Sequence, residues 1–198
     1  MLLIATTNKN KFNRLKKVIE YTFPNIKIAH IFDKKITPPV ENRNDELKNV
    51  LIKAKFYYSQ LQINVFVEDN GIYFYNIEPN KQLAANFKDY SYGLSPKKLF
   101  KKISFFLKNN EIHKGYLKYV FALACNKRTY TKCIDVPFLI SSDVKFISDT
   151  NILNNFILPR GFNIPISQMT KKELERYRDK YISNSIKELI EPHINDLV

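Results

Sequence analysis

The sequence predicts an α/β protein. Three observations carry this. Short apolar runs alternate with helical periodicities along the first 75 residues, two long apolar stretches in the middle read as a strand pair, and the final third closes on a capped helix. No internal repeat or linker breaks the pattern, so residues 1–198 are read as one domain. With 198 residues and 44% hydrophobic content, the chain can bury one sizeable core or build two lobes on a shared sheet. Its 15 Phe and 12 Tyr argue against disorder.

Leu2-Leu3-Ile4-Ala5 is a short buried-strand signal that breaks into Thr6-Thr7-Asn8-Lys9-Asn10-Lys11. A helix follows from about Lys11 to Tyr21, with Phe12, Leu15, Val18 and Ile19 on one face and Thr7 or Asn8 as cap. A strand, a polar loop and a helix N-terminus with Lys9 and Lys11 nearby form a natural anion site. An ordinary capped turn with solvated lysines fits the same residues. Ile26 to Phe32 alternates as a second strand, on which His30 reads as structural. Pro38-Pro39 stiffens the segment carrying Glu41. A helix from about Asp45 to Gln60 has Leu47, Val50, Leu51, Ala54 and Tyr58 as its expected apolar stripe, with Lys53 inside it.

Val65-Phe66-Val67 then runs into Glu68-Asp69-Asn70-Gly71. This predicts a buried strand ending at an acidic pair, then an Asn-Gly turn into a hairpin partner, Ile72 to Tyr75. Two adjacent carboxylates repel, and their burial costs several kcal/mol unless a positive group, usually a divalent metal, compensates. A solvated acidic strand end is the competing reading. Residues 76–95 show no clear period. Ser95-Pro96 starts a helix to about Leu107. Tyr116 to Cys125 and Thr131 to Ile140 form the expected antiparallel pair around Asn126-Lys127-Arg128. Residues 141–168 read as irregular. Thr170 with Glu173 makes a capping box for a helix to Glu191, interrupted near Ser183-Asn184-Ser185.

Only 4 glycines are present, and neither GxGxxG nor GxxxxGK[ST] occurs, which excludes the Gly-rich phosphate loops. The net charge of +13 favours polyanions, nucleic acid, nucleotide phosphates or acidic membrane surfaces, although coding bias toward Lys and Asn yields the same excess. The basic residues are scattered, with no Arg-rich block. Cys125 and Cys133 lack metal-finger spacing and read as reduced strand residues. No run approaches a membrane span or a signal peptide, so a soluble cytoplasmic protein with no membrane partner is expected.

One pattern draws these features together. Thr6-Thr7-Asn8-Lys9-Asn10-Lys11 resembles a T-G-N-x-x-K loop, with Thr7 in place of glycine. Lys53 follows Glu41 by 12 residues, and Asp69 follows Lys53 by 16. Val50-Leu51-Ile52-Lys53-Ala54-Lys55 looks like Ala-Leu-Ile-Lys-Ala-Arg, and Glu68-Asp69-Asn70-Gly71 looks like Asp-Asp-Ser-Gly. In this order and spacing the chain resembles the inosine/xanthosine triphosphate pyrophosphatase family, most clearly over residues 2–75. Later motifs depart. A Pro-Gly-x-x-Ser-Ala-Arg segment is not recognisable near Leu83-Ala84-Ala85-Asn86-Phe87. Phe-Gly-Tyr-Asp-Pro becomes Arg160-Gly161-Phe162-Asn163-Ile164-Pro165. Ser-His-Arg has no counterpart at Ser183-Asn184-Ser185 or Arg178-Asp179-Lys180.

The resemblance implies a long mixed, twisted sheet flanked by helices, two lobes around a nucleotide cleft, and a homodimer. It implies metal-dependent hydrolysis of aberrant purine nucleoside triphosphates to monophosphate and pyrophosphate, with Mg²⁺ held by Glu41 and Asp69. Asp69, or Glu68 beside it, would orient or deprotonate water, and Lys53 would neutralise a phosphate oxygen. Thr6, Thr7, Asn8, Lys9, Lys11 and Asn70 would bind the triphosphate. Arg160, Gly161, Phe162 and Asn163 would line the base, Phe162 by stacking. The altered later motifs leave a second reading, a degenerate family member kept as a non-catalytic nucleotide- or nucleic-acid-binding subunit. The third is an unrelated basic nucleic-acid-binding protein.

Overall fold

The computed structural model describes residues 1–32, 36–41, 45–78, 81–83, 87, 90–141, 144–148 and 151–197, with the backbone alone at 178 and 179. Six strands form one sheet in the order β2-β1-β3-β4-β5-β6. They are β1 Leu2–Ile4, β2 Ile28–His30, β3 Asn64–Phe74, β4 Lys114–Cys125, β5 Arg128–Ile140 and β6 Ile157–Pro159. The helices are α1 Lys9–Thr22, α2 Glu46–Leu61, α3 Pro96–Asn109, α4 Lys171–Arg178, α5 Asn184–Ile190 and α6 Ile194–Leu197, with a π-helical turn at Asp179–Ser183. The sheet is mixed: β1 pairs in parallel with β2 and β3, whereas β5 and β6 are antiparallel. The expected mixed sheet flanked by helices is therefore present. By internal contacts the chain divides into two units, one of Met1–Asn70, Tyr119–Ile134 and Asp179–Val198, the other of Gly71–Lys118 and Asp135–Arg178.

In the first unit the strands bury both faces, because successive side chains point to opposite sides. Leu2, Ile4 and Phe66 join Phe12, Leu15 and Ile19 of α1 and Ile182, Ile186 and Ile190 in one cluster. Leu3, Val65 and Val67 join Val50, Ala54 and Tyr57 of α2 in the other. Each fully buried Leu, Ile or Phe stabilises the fold by roughly 1.5–3 kcal/mol, so the two helices are fixed to opposite faces of β1 and β3. The final residues are tied to the start of the chain: the Met1 amine donates to the Leu197 carbonyl at 2.9 Å. In the second unit, Phe74, Leu83, Ile103, Phe138 and Phe156 form a separate core.

Several expectations need correction. The strand does not end at the acidic pair. β3 continues for 11 residues through Glu68-Asp69-Asn70-Gly71 to Phe74. Asn70 and Gly71 lie inside this strand, so Asn-Gly makes no turn and Ile72 to Phe74 continues β3 rather than forming a hairpin partner. The two-residue turn lies instead at Asn126 and Lys127, with φ of 47° and 60°, joining β4 to β5. The region 141–168, read as irregular, contains β6 and two 3₁₀ turns, Ile152–Asn155 and Ile166–Gln168. The inward face of α2 is also rotated from the expected stripe. It carries Glu46, Asn49, Val50, Ala54 and Tyr57, while Leu47 is exposed. Part of the segment expected near Leu83 to Phe87 lies outside the described residues.

Candidate active site

The pleat separates the acidic pair. On β3, Val65 and Val67 belong to the α2 face and Phe66 to the α1 face. Alternation therefore sends Asp69 toward α2 and Glu68 toward α1. The partners agree. Asp69 Oδ2 accepts from Asn49 Nδ2 of α2 at 2.9 Å. Glu68 receives the Arg14 guanidinium of α1, with Nη2 at 2.7 and 2.5 Å from its two carboxylate oxygens. The two carboxylates do not share a site, so the expected repulsion between them is relieved by geometry.

Glu68 is fully buried as a side chain and Arg14 is 15% exposed. Lys11 adds a second cation, its Nζ 3.5 Å from Glu68 Oε1. Burial by itself lowers the Arg14 pKa, but the Glu68 carboxylate, with help from Tyr119, outweighs this and raises it above the ordinary arginine value. Arg14 also lies 5.9 Å from the centre of the Tyr119 ring. Both carboxylate oxygens of Glu68 are thus engaged by cations.

Lys11 connects the first loop to this strand. β1 pairs with β3 up to Ile4 and Phe66, and the Ala5 amide donates to the Phe66 carbonyl at 2.9 Å. Beyond that point the Lys11 ammonium contacts the Glu68 carbonyl at 3.4 Å and Asn70 Oδ1 at 3.1 Å. The loop before α1 is built from local bonds. Thr6 Oγ1 accepts from the Asn8 amide at 3.2 Å, and Asn8 Oδ1 caps the helix by accepting from the Lys11 amide at 3.1 Å. Thr7, Asn8 and Lys9 are exposed.

On the opposite face, Lys53 Nζ lies 2.8 Å from Glu41 Oε1, across from the proline-stiffened segment to α2. Asn49 and Lys53 are one turn apart on α2, so Asp69 and Glu41 bind adjacent positions of one helical face. The carboxylate of Asp69 can only accept, which fixes the Asn49 amide with its nitrogen toward Asp69. Asn49 Oδ1 is then left buried with no hydrogen-bond partner among the described residues. Asp69 Oδ1 accepts from the Asn70 amide at 3.0 Å. Among the residues expected at a phosphate-binding site, the structure links Glu41 to Lys53, and Lys11 to Glu68 and Asn70.

Arg160, Gly161, Phe162 and Asn163 lie in the second unit, in the turn after β6. Gly161 has φ +89°, a conformation that favours glycine, and Phe162 packs edge-on against Tyr177 with centroids 6.2 Å apart. Sequence reasoning missed Arg14 and Asn49. Arg14 carried no signal beyond its place one turn after Lys11 on α1. Asn49 did carry one: with Glu46 and Lys53 it repeats at helical spacing, a polar face pointing inward.

The fold is that of an α/β protein with helices on both faces of a mixed sheet, and the comparisons identify its family. The Ham1 family model matches residues 2–130, and the chain belongs to that family. A dITP/XTP pyrophosphatase of Borreliella burgdorferi is 30% identical over 184 residues, covering 81% of this chain and 90% of that protein. Among solved structures, the Ham1 protein of Staphylococcus aureus superposes with a TM-score of 0.73 at 13% identity, covering 95% of each chain. A HAM1 protein of Coxiella burnetii gives 0.74 at 12% identity, covering 94% of each. The nucleoside-triphosphatase, or dITP/XTP pyrophosphatase, of Mycobacterium abscessus gives 0.69 at 14% identity, covering 90% of this chain and 94% of that one. These structural likenesses concern the fold.

Proposed function

We propose that the chain is a metal-dependent nucleoside triphosphate pyrophosphatase, acting on purine nucleoside triphosphates of the dITP and XTP type. One observation carries this reading: α2 holds Asn49 on Asp69 and Lys53 on Glu41 one turn apart. The name of the relative at 30% identity, dITP/XTP pyrophosphatase, supports the same activity.

The donor set on that face fits a hard cation. Glu41, Asp69 and the unpartnered Asn49 Oδ1 offer oxygens only, as Mg²⁺ prefers. Glu41 and Asp69 would hold it. When bound, Mg²⁺ neutralises charge developing on the phosphate oxygens. Asn49 and the Asn70 amide fix the plane of the Asp69 carboxylate, leaving lone pairs to take a proton from an attacking water. Lys53 exchanges its Glu41 partner for a non-bridging oxygen of the substrate. Thr6, Thr7, Asn8 and Lys9 present the loop to the phosphates, while Lys11, held by Glu68 and Asn70, supplies fixed positive charge. Glu68 acts by positioning Lys11 rather than by touching water.

For the base, we assign stacking to Phe162 and polar contacts to Arg160, the Gly161 backbone and Asn163. An Asn both donates and accepts, so it need not restrict the enzyme to 6-keto purines. We also propose a cytoplasmic homodimer, to be tested by light scattering. A non-catalytic nucleotide-binding role is the second reading, favoured by the absence of a His from Ser183-Asn184-Ser185. Pyrophosphate release measured over ITP, XTP, dITP, dUTP and the standard triphosphates with Mg²⁺ separates the two. No turnover of any of them at micromolar enzyme would leave the second reading standing.

A further inference from the structure

Cys125, His193 and Asp196 meet within the first unit, outside the site described above. Each offers one ligand atom, a thiol sulfur, an imidazole nitrogen and a carboxylate oxygen, and these atoms all lie within 4.8 Å of one another. His193 and Asp196 stand three residues apart at the junction of the 3₁₀ turn Glu191–His193 and α6, so they share one helical face. Cys125 is the last residue of β4. We propose that these three side chains bind a single divalent transition metal of the Zn²⁺ class, which ties the C-terminal helical segment to the central strand.

The chemistry selects the ion. Thiolate, imidazole and carboxylate are the ligands Zn²⁺ takes at tetrahedral sites, and a single hard oxygen is too few for Mg²⁺ or Ca²⁺. Bond lengths of about 2.0–2.3 Å place tetrahedral ligand atoms roughly 3.5 Å apart, so closure requires movements of about 1 Å. The ligands sit on anchored backbone. The Tyr130 ring stacks on His193 with centroids 3.8 Å apart and planes 25° apart. Asn64 Nδ2 donates to the Asp196 carbonyl at 2.6 Å. The next residue, Leu197, is buried and accepts from the Met1 amine. Cys125 is buried, His193 half-buried and Asp196 exposed, so an ion enters from the aspartate side and a water completes the fourth position.

A Cys-His-Asp nucleophile is the obvious rival. It fails here because Cys125 is fully buried, so its sulfur is closed to a substrate. Metal binding requires no oxidant: the Sγ–H proton leaves to solvent as the Sγ–metal bond forms.

The test uses the full chain, stripped with a chelator and titrated with Co²⁺ in the presence of Mg²⁺. One equivalent should develop a near-ultraviolet thiolate-to-cobalt charge-transfer band and tetrahedral d–d bands. Cys125→Ser should abolish the charge-transfer band, and Cys133→Ser should leave it. His193→Ala and Asp196→Asn should each weaken Co²⁺ binding by at least about tenfold. Zn²⁺ should raise the melting temperature of the wild type and of Cys133→Ser, but not of His193→Ala. Absence of the charge-transfer band at one equivalent, its survival in Cys125→Ser, or no Zn²⁺-dependent stabilisation of the wild type would each overturn the proposal.

Discussion

Arg14 places one guanidinium nitrogen 2.7 and 2.5 Å from the two oxygens of Glu68, and the pair is buried between α1 and β3. Removing one partner of a buried pair leaves an uncompensated charge. Arg14→Met should destabilise the protein by about 3–5 kcal/mol, and adding Glu68→Leu should recover most of that loss. Urea denaturation of the two variants measures both. A loss below about 1 kcal/mol in the single variant would show that Lys11 alone compensates Glu68.

Asp69→Asn should separate activity from stability. The asparagine oxygen can still accept from Asn49 at the loss of the bond from the Asn70 amide, so the stability cost should stay near that of one hydrogen bond, about 1 kcal/mol. Loss of the proposed proton acceptor and metal ligand should lower kcat by at least about 100-fold. A variant with unaltered kcat would remove Asp69 from the reaction.

Lys53→Ala breaks a pair whose acid, Glu41, is 39% exposed, so its stability cost should stay under about 1 kcal/mol. Its effect on kcat/KM should be much larger, because the ammonium is assigned to a phosphate oxygen. Steady-state kinetics beside thermal melting reads the contrast.

Asp45 caps α2 by accepting from the Lys48 amide at 3.0 Å, and that backbone bond holds its carboxyl below the usual range. A carboxyl with a lowered folded pKa contributes stability above its unfolded pKa, and that contribution is lost as pH falls through the folded value. Asp45→Ala should therefore cost about 1 kcal/mol at neutral pH, and less as the wild-type carboxyl protonates. Paired melts across the acid range check the sign.

Gly115→Ala tests the second unit. A Cβ there would stand 2.2 Å from the Tyr73 carbonyl oxygen and 2.8 Å from Phe138 Cζ. The ring can shift, but the backbone oxygen cannot, so the loss should exceed the roughly 1–3 kcal/mol of ordinary overpacking. Thermal melting of the variant measures it.

Much of the fold could be read from local patterns. β1, α1, α3 and the β4–β5 pair follow from periodicity and caps. The capping box appears as drawn, with the Thr170 amide and hydroxyl both donating to Glu173. The errors lie where a local signal met a tertiary one. Asn70-Gly71 is a turn dipeptide, yet it stays extended because its strand lies within a sheet. The sequence pattern predicts an apolar stripe through Leu47 on α2, but the inner face near the site is polar, through Glu46, Asn49 and Lys53. The spacing of Glu41, Lys53 and Asp69 was visible in sequence. That Glu68 belongs to Arg14 was not, since the strand's pleat assigns adjacent residues to different neighbours.

That pleat makes register an address. Glu68 and Asp69 carry the same charge and differ by one methylene, yet each works only on its own side of β3. A one-residue deletion within Asn64 to Val67 would preserve net charge and the acidic motif while exchanging the two destinations. Asp69 would then face Arg14, and Glu68 would face Asn49. Composition, motif and charge would be unchanged in the acidic pair, and the chain would still have lost both its ion pair and its candidate catalytic acid.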